Sequence, residues 1–174
     1  MDIKCIVTGY LDENCYVLSQ NGKCLVIDPG DDYIKIKEAI GDNQVLAVLI
    51  THSHADHIGA LRNFLTKRSI KIFKSSNLDH GMHIDISDFH FQAFHTPGHS
   101  KDSVTFYFEP EGVMFVGDFI FKESVGRCDL PGGSAQELEE SIRFILDFDD
   151  DIVLYPGHYD STTLGYERKN NPFF

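Results

Sequence analysis

The stretch Val48-Leu-Ile-Thr-His-Ser-His-Ala-Asp-His-Ile-Gly59 constrains this chain more than any other. The apolar run over 45–50 predicts a buried strand ending at Thr51. Three histidines and an aspartate, His52, His54, Asp56 and His57, then fall within six residues. Imidazole and carboxylate are the ligands expected of zinc and other borderline divalent metals. His52 and His54 stand at i and i+2, so an extended strand end points both the same way. Asp56 and His57 follow where the chain turns into a helix, and so can face a second point in space. Four ligands fanned around such a turn suit two adjacent metals better than one. The plainer alternative is a chance cluster or a structural metal clip, and the close spacing argues against chance.

With 174 residues the chain fits one domain, 1–174, with enough length for a real core. An apolar share of 42% and a charged share of 24% match a soluble globular protein. No apolar run approaches the roughly 20 residues of a membrane span. The start, Met1-Asp-Ile-Lys-Cys, lacks the basic and then apolar pattern of a signal peptide. Cys5, Cys15, Cys24 and Cys128 form no C-x-x-C pair. Three of them lie in strand-like segments and read as reduced, buried apolar residues. These features predict a cytoplasmic protein with no membrane partner. The net charge of −12, with Lys and Arg scattered, disfavours a nucleic-acid partner.

Along the chain, 3–8, 14–19 and 24–28 are β-prone runs, and Asn21-Gly22 is a hairpin signal between the last two. Asp28-Pro29-Gly30 ends the third strand. Ile34, Ile36, Ala39 and Ile40 predict a helix that Gly41 stops. A second helix is expected from about Asp56 to Lys67, with Ile58, Leu61, Phe64 and Leu65 on its inner face. Residues 70–73 read as a strand. His80 and His83 are expected in a Gly-containing loop and His90 on the wet face of a strand, without the close pairing of a ligand set. His95 is expected at the surface or behind the ligands. Helix 134–148 is marked by a capping box, Ser134 and Glu137, and by the stripe Leu138, Ile142, Ile145 and Leu146. The acidic run 147–151 reads as a solvated turn. Alternating strands and helices indicate layered α and β structure.

Three later points resemble the first cluster in form. A Pro-Gly turn presents His99 just past a strand, the run 113–116 ends in Gly117-Asp118, and the run 152–154 leads to Pro156-Gly157-His158. Each residue follows an apolar run or a Gly-containing turn, the arrangement by which a rigid sheet delivers ligands on loops.

His52-Ser-His-Ala-Asp-His57, Thr96-Pro-Gly-His99, Gly117-Asp118 and Gly157-His158, in that order, closely resemble the metallo-β-lactamase superfamily. Within it the chain is similar to the small glyoxalase II-like group, hydroxyacylglutathione hydrolases without a C-terminal helical domain. Ser124-Val-Gly-Arg-Cys-Asp-Leu-Pro-Gly-Gly133 and Thr162-Thr-Leu-Gly-Tyr-Glu-Arg-Lys-Asn-Asn-Pro-Phe173 carry that likeness. The implied fold is an αββα sandwich of the α/β (α+β) class, two packed mixed sheets flanked by helices. The resemblance implies that His52, His54 and His99 hold one metal, Asp56, His57 and His158 a second, and that Asp118 bridges both. Zinc is the default metal, with iron or manganese also suited to these ligands. The implied chemistry is attack of a metal-bridging hydroxide on a thioester such as S-D-lactoylglutathione, with Asp56 able to steer its proton.

Arg127 falls where the family has a basic residue and can pair with a substrate carboxylate through its planar fork; a surface salt bridge is the alternative. Lys122, Arg168 and Lys169 are weaker candidates. The acidic balance counts modestly against an anionic thiol such as glutathione. Other reactions on the same scaffold are a mononuclear-iron persulfide dioxygenase and a lactone or other ester hydrolase. An inactive metal-binding module is disfavoured, because a structural site is closed and needs fewer ligands than seven.

Overall fold

The computed structural model describes residues 1–66 and 69–174. In chain order the strands are β1 (Asp2–Thr8), β2 (Glu13–Gln20), β3 (Lys23–Ile27), β4 (Gln44–Leu49), β5 (Lys71–Phe73), β6 (Met82–Ile86), β7 (Phe89–His95), β8 (Val104–Phe108), β9 (Val113–Gly117), β10 (Ile120–Phe121), β11 (Ser124–Val125), β12 (Val153–Pro156) and β13 (Thr162–Thr163). The helices are α1 (Tyr33–Ile40), α2 (Ala55–Ile58), α3 (Ala135–Ile145) and α4 (Leu164–Asn170). Strands β1-β2-β3-β4-β5 form one sheet and β13-β12-β9-β8-β7-β6 the other, while β10 and β11 make a small hairpin. Both large sheets are mixed: β3, β4 and β5 run parallel in the first, and β12 and β9 in the second.

Local chemistry explains the joints. Asn21 and Gly22 both adopt positive φ (50° and 72°), as a two-residue turn requires, and Gln20 pairs with Lys23 across it. Gly41 closes α1 at φ 59°, its N–H donating to the Lys37 carbonyl. Residues of β2 are buried on both sides because the strand lies inside the layers. Leu18, Leu25 and Leu49 turn toward Phe91, Phe106 and Phe115 of the second sheet and form the central core. Val17, Val26 and Val48 turn the other way, onto Ile36 and Ile40 of α1. Met114, Val116 and Leu154 pack outward against Leu138, Ile142 and Ile145 of α3. Each large apolar side chain so buried contributes about 1.5–3 kcal/mol. The layers are therefore helix, sheet, sheet, helix. No helix among the described residues is long and apolar enough to cross a membrane.

Several expectations need correction. The second helix is only the turn α2, followed by a 3-10 turn at Leu61–Asn63; the expected end at Lys67 lies outside the described residues. The cause is tertiary. The Ala60 N–H donates to the Pro29 and Gly30 carbonyls (3.0 and 2.8 Å) instead of continuing the helical ladder. The capping box of α3 is half formed: Ser134 Oγ accepts from the Glu137 N–H, but the Ser134 N–H goes to the Gly98 carbonyl. That helix stops at Ile145, short of Phe148. His83 lies in β6 and not in a loop. Cys5 is exposed on the edge strand β1, while Cys15 and Cys24 are buried.

Candidate metal centre

All seven residues picked out from the sequence follow strand ends, and the fold gathers them at one edge of the sandwich. His52, His54, Asp56 and His57 follow β4, His99 follows β7, Asp118 follows β9 and His158 follows β12. His54 Nδ1 lies 3.1 Å from His52 Nε2 and 2.9 Å from His99 Nε2. Asp56 Oδ2 lies 3.4 Å from His158 Nε2 and 3.8 Å from His57 Nε2. In each trio the donor atoms are all within 4.8 Å of one another. Asp118 stands between the trios. Its Oδ1 is 3.3 Å from His57 Nε2, and its Oδ2 is 3.6 Å from both His99 Nε2 and His158 Nε2.

The imidazoles are oriented from behind. His57 Nδ1 donates to Asp28 Oδ2 (3.0 Å), His99 Nδ1 to the Arg127 carbonyl (2.7 Å) and His158 Nδ1 to the Leu11 carbonyl (3.1 Å). Asp28 also accepts the Thr51 N–H and hydroxyl, which leaves Thr51 Oγ1 free to accept from His52 Nδ1 at 3.1 Å. Each of these acceptors fixes the proton on Nδ1 and turns the Nε2 lone pair inward, the arrangement expected of metal-ligating histidines. Two buried atoms, His57 Nε2 and Asp118 Oδ1, face each other yet make no aligned hydrogen bond. A divalent cation would satisfy both. The donor set therefore fits metal ions.

The electrostatics agree. Burial works against charge on His57, but Asp118 and Asp28 flank the ring and hold its pKa well above the ordinary value. Burial likewise opposes ionisation of Asp118, and the neighbouring His57, with His52 and His158, outweighs it and pulls the carboxyl well below its usual range. His52 and His99 are held low chiefly by burial. A cation on Nε2 of His57 needs the neutral imidazole, so metal affinity is expected to depend on pH.

Glycines allow this crowding. A Cβ on Gly157 would strike Asp118 Oδ1 and His57 Cε1, and one on Gly126 would strike the Asp118 carbonyl. The trios open on a cleft of about 690 Å³ whose walls include Phe121, Val125, Leu130 and Tyr159. Arg127 is on its rim, exposed, with its fork bidentate to Asp129 at 2.8 Å for both bonds. Lys122 lies over the Tyr166 ring, and Arg168 binds Asp150 and the carbonyls of Leu146 and Phe148. Elsewhere, His80 packs on Phe94 and Phe144, His90 pairs with Asp85, and His95 Nε2 binds the Leu78 carbonyl.

Sequence reasoning missed Asp28 and the wall-building residues Glu167 and Asn171. Asp28-Pro29-Gly30 has the same strand-end form as the other points, so a signal was there. Glu167, fully buried, accepts from the Glu123 N–H and Thr162 hydroxyl, and Asn171 Nδ2 donates to the Ser124 carbonyl. Together they tie α4 to the β10–β11 wall of the cleft.

Residues 8–83 and 75–158 match the family model of the metallo-beta-lactamase superfamily. A protein of Aquifex aeolicus is 35% identical, covering 99% of this chain and 97% of its own length. A probable metallo-hydrolase of Bacillus subtilis is 30% identical (95% and 93%), and the hydroxyacylglutathione hydrolase GloC of Haemophilus influenzae 28% (99% and 98%). Among solved structures, the BLEG-1 B3 metallo-β-lactamase superposes with a TM-score of 0.91 at 33% identity, covering 99% of both chains. TTHA1623, a protein solved in a di-iron-bound form, gives 0.88 at 30% identity (98% and 100%). ETHE1 from Myxococcus xanthus gives 0.90 at 25% identity (99% and 84%). Sandwich topology, His/Asp trios and these likenesses agree: the chain belongs to the metallo-β-lactamase superfamily of metallo-hydrolases.

Proposed function

We propose that this chain is a dinuclear metal hydrolase of the glyoxalase II-like kind, cleaving a small thioester such as S-D-lactoylglutathione. The observation that carries this reading is Asp118, placed between two donor trios with one buried oxygen left unsatisfied. His52, His54 and His99 would hold one cation, Asp56, His57 and His158 the other, and Asp118 both. Such cations, when bound, would acidify a water to serve as the nucleophile and polarise an acyl carbonyl. Zinc is the metal proposed, with iron or manganese compatible with the same donors. A relative that is a hydroxyacylglutathione hydrolase and a neighbour with di-iron support the type of chemistry.

The chain's own residues do the rest. His54, Asp56, His99, Asp118 and His158 line the cleft, so a substrate entering it meets both trios at once. Asp56 is partly exposed there and would accept a proton from the attacking water. Arg127, now paired with exposed Asp129, can exchange that partner for a substrate carboxylate. No nucleophilic Ser or Cys is needed. The partner is a small molecule rather than nucleic acid or membrane, given the net charge of −12. Free Cys15 and Cys24 support a reducing, cytoplasmic setting.

Anaerobic metal analysis paired with turnover of S-D-lactoylglutathione tests the proposal. About two metals per chain with oxygen-independent cleavage is the expected result. One iron per chain, no cleavage and oxygen uptake with a persulfide would replace it with a dioxygenase. The Asp118→Ala variant is expected to lose hydrolysis and bind less metal; full metal and activity would defeat the bridging role.

A further inference from the structure

Tyr159 adopts a backbone conformation that its residue type disfavours. Its φ is 67°, in the left-handed region where a bulky side chain is an outlier. Such strain costs stability, persists only where the surroundings dictate it, and gathers at functional sites. The surroundings here do dictate it. Buried Asn14 donates from Nδ2 to the Tyr159 carbonyl (2.8 Å) and to the Pro156 carbonyl (3.1 Å), pinning the backbone just beyond His158. Packing does not offset the strain, because Tyr159 is 76% exposed.

The exposed ring stands beside His158, in the wall of the cleft. Its centroid is 5.4 Å from that of Phe121, nearly perpendicular to it at 87°, and 6.3 Å from the His158 ring. Tyr159, His158 and Leu11 line both the metal cleft and a second hollow of about 620 Å³ beside β1, so the ring marks the seam between them. Leu11 and Leu130 add apolar surface to the cleft, 48% and 38% exposed. Among the described residues the one Lys or Arg lining the cleft is Arg127, whose fork is held by Asp129, while Asp12 and Asp160 line the second hollow. This mouth offers a flat aromatic surface and aliphatic flanks, with the carboxylates of Asp12, Asp129 and Asp160 nearby. It suits an uncharged, flat group far better than a polyanionic one.

We propose that Tyr159 is an aromatic platform that selects thioesters whose acyl or thiol portion carries a flat, uncharged apolar group. The proposal deepens the thioester-hydrolase reading and rests on it for the reacting bond. Tyr159 is a specificity residue and touches no proposed metal site directly.

The test uses the metal-loaded full chain with two non-hydrolysable probes, benzyl 2-hydroxyethyl thioether and ethyl 2-hydroxyethyl thioether, titrated calorimetrically. Tyr159→Gly is expected to weaken the benzyl probe about three- to tenfold and the ethyl probe little, as the loss of one aromatic contact predicts. Tyr159→Phe should bind as the unsubstituted chain does. Because glycine relieves the left-handed strain, the melting temperature of Tyr159→Gly should hold or rise. With thioesters of 2-mercaptoethanol, the glycine variant should raise KM for the phenylacetyl ester and leave kcat near its original value. Equal weakening of both probes, or a lower melting temperature with both lost, would overturn the platform. Faster turnover of S-D-lactoylglutathione than of the phenylacetyl ester would overturn the substrate class. A protein that cleaves no thioester yet keeps the benzyl preference would support the platform and sink the hydrolase reading alone.

Discussion

His57 Nδ1 faces two buried carboxyl groups, Asp28 Oδ2 at 3.0 Å and Glu13 Oε1 at 3.8 Å. Asp28 is the stronger partner, because it also takes both donors of Thr51 and thereby orients His52. Asp28→Ala is expected to lower metal affinity by about 10–100-fold, as the loss of an outer partner of a ligand does. Competition against a chromogenic chelator measures this, and an unchanged affinity would remove Asp28 from the centre. Glu13 differs. Burial, reinforced by Asp28, pushes its carboxyl up to about 9, so it is neutral at pH 7. A folded pKa raised above the unfolded value means the folded state binds the extra proton between pH about 4.5 and about 9. Stability from this group is complete below that window and is lost as pH rises through it. Melting curves of the metal-free protein between pH 6 and roughly 9.5 should show a decline that Glu13→Gln flattens; parallel curves would contradict the assignment.

At the scale of elements, loops at strand ends do the positioning, and their backbones are drawn away from regular structure to do it. The turn α2 stops because Ala60 bonds to Pro29 and Gly30, which docks the Asp28 loop against His57. Helical spacing in the sequence showed apolar Ile58, Leu61 and Phe64, and it could not show that a distant carbonyl would take the Ala60 N–H. The same limit applies to Ser134, whose N–H is taken by Gly98. At the other end, α4 braces the cleft wall through Glu167 and Asn171. Asn171→Ala strands the Ser124 carbonyl and part of Glu167, and is expected to destabilise by about 1–3 kcal/mol. Denaturant unfolding checks this, with metal content unchanged because no proposed ligand is on that wall. A loss of metal equal to that of Asp118→Ala would show that the brace supports the ligands themselves.

For the whole molecule, the centre draws on both sheets. Four of its residues follow β4 of the first sheet, and His99, Asp118 and His158 follow strands of the second. Bound cations would therefore tie the sheets together, and ligands that bind only the folded state stabilise it by mass action. Chelation is expected to lower the melting temperature by an amount worth about 2.7 kcal/mol when free metal had stood at a hundred times its Kd. Coincident melts with and without chelator would count against a centre shared between the sheets. The sequence by itself determined the local matters: the β-prone runs, the Asn21-Gly22 turn, the apolar stripe of α3, and the order of His52, His54, Asp56, His57, His99, Asp118 and His158 along the chain. These depend on periodicity and turn chemistry within a few residues. Tertiary structure alone decided that Asp28 backs His57, that the Leu11 and Arg127 carbonyls orient His158 and His99, and that Asn14 strains Tyr159. Those partners lie up to 147 residues apart in sequence. No local pattern encodes such contacts, because they arise only when two sheets, each folding by its own alternation, pack and bring their strand ends to one edge.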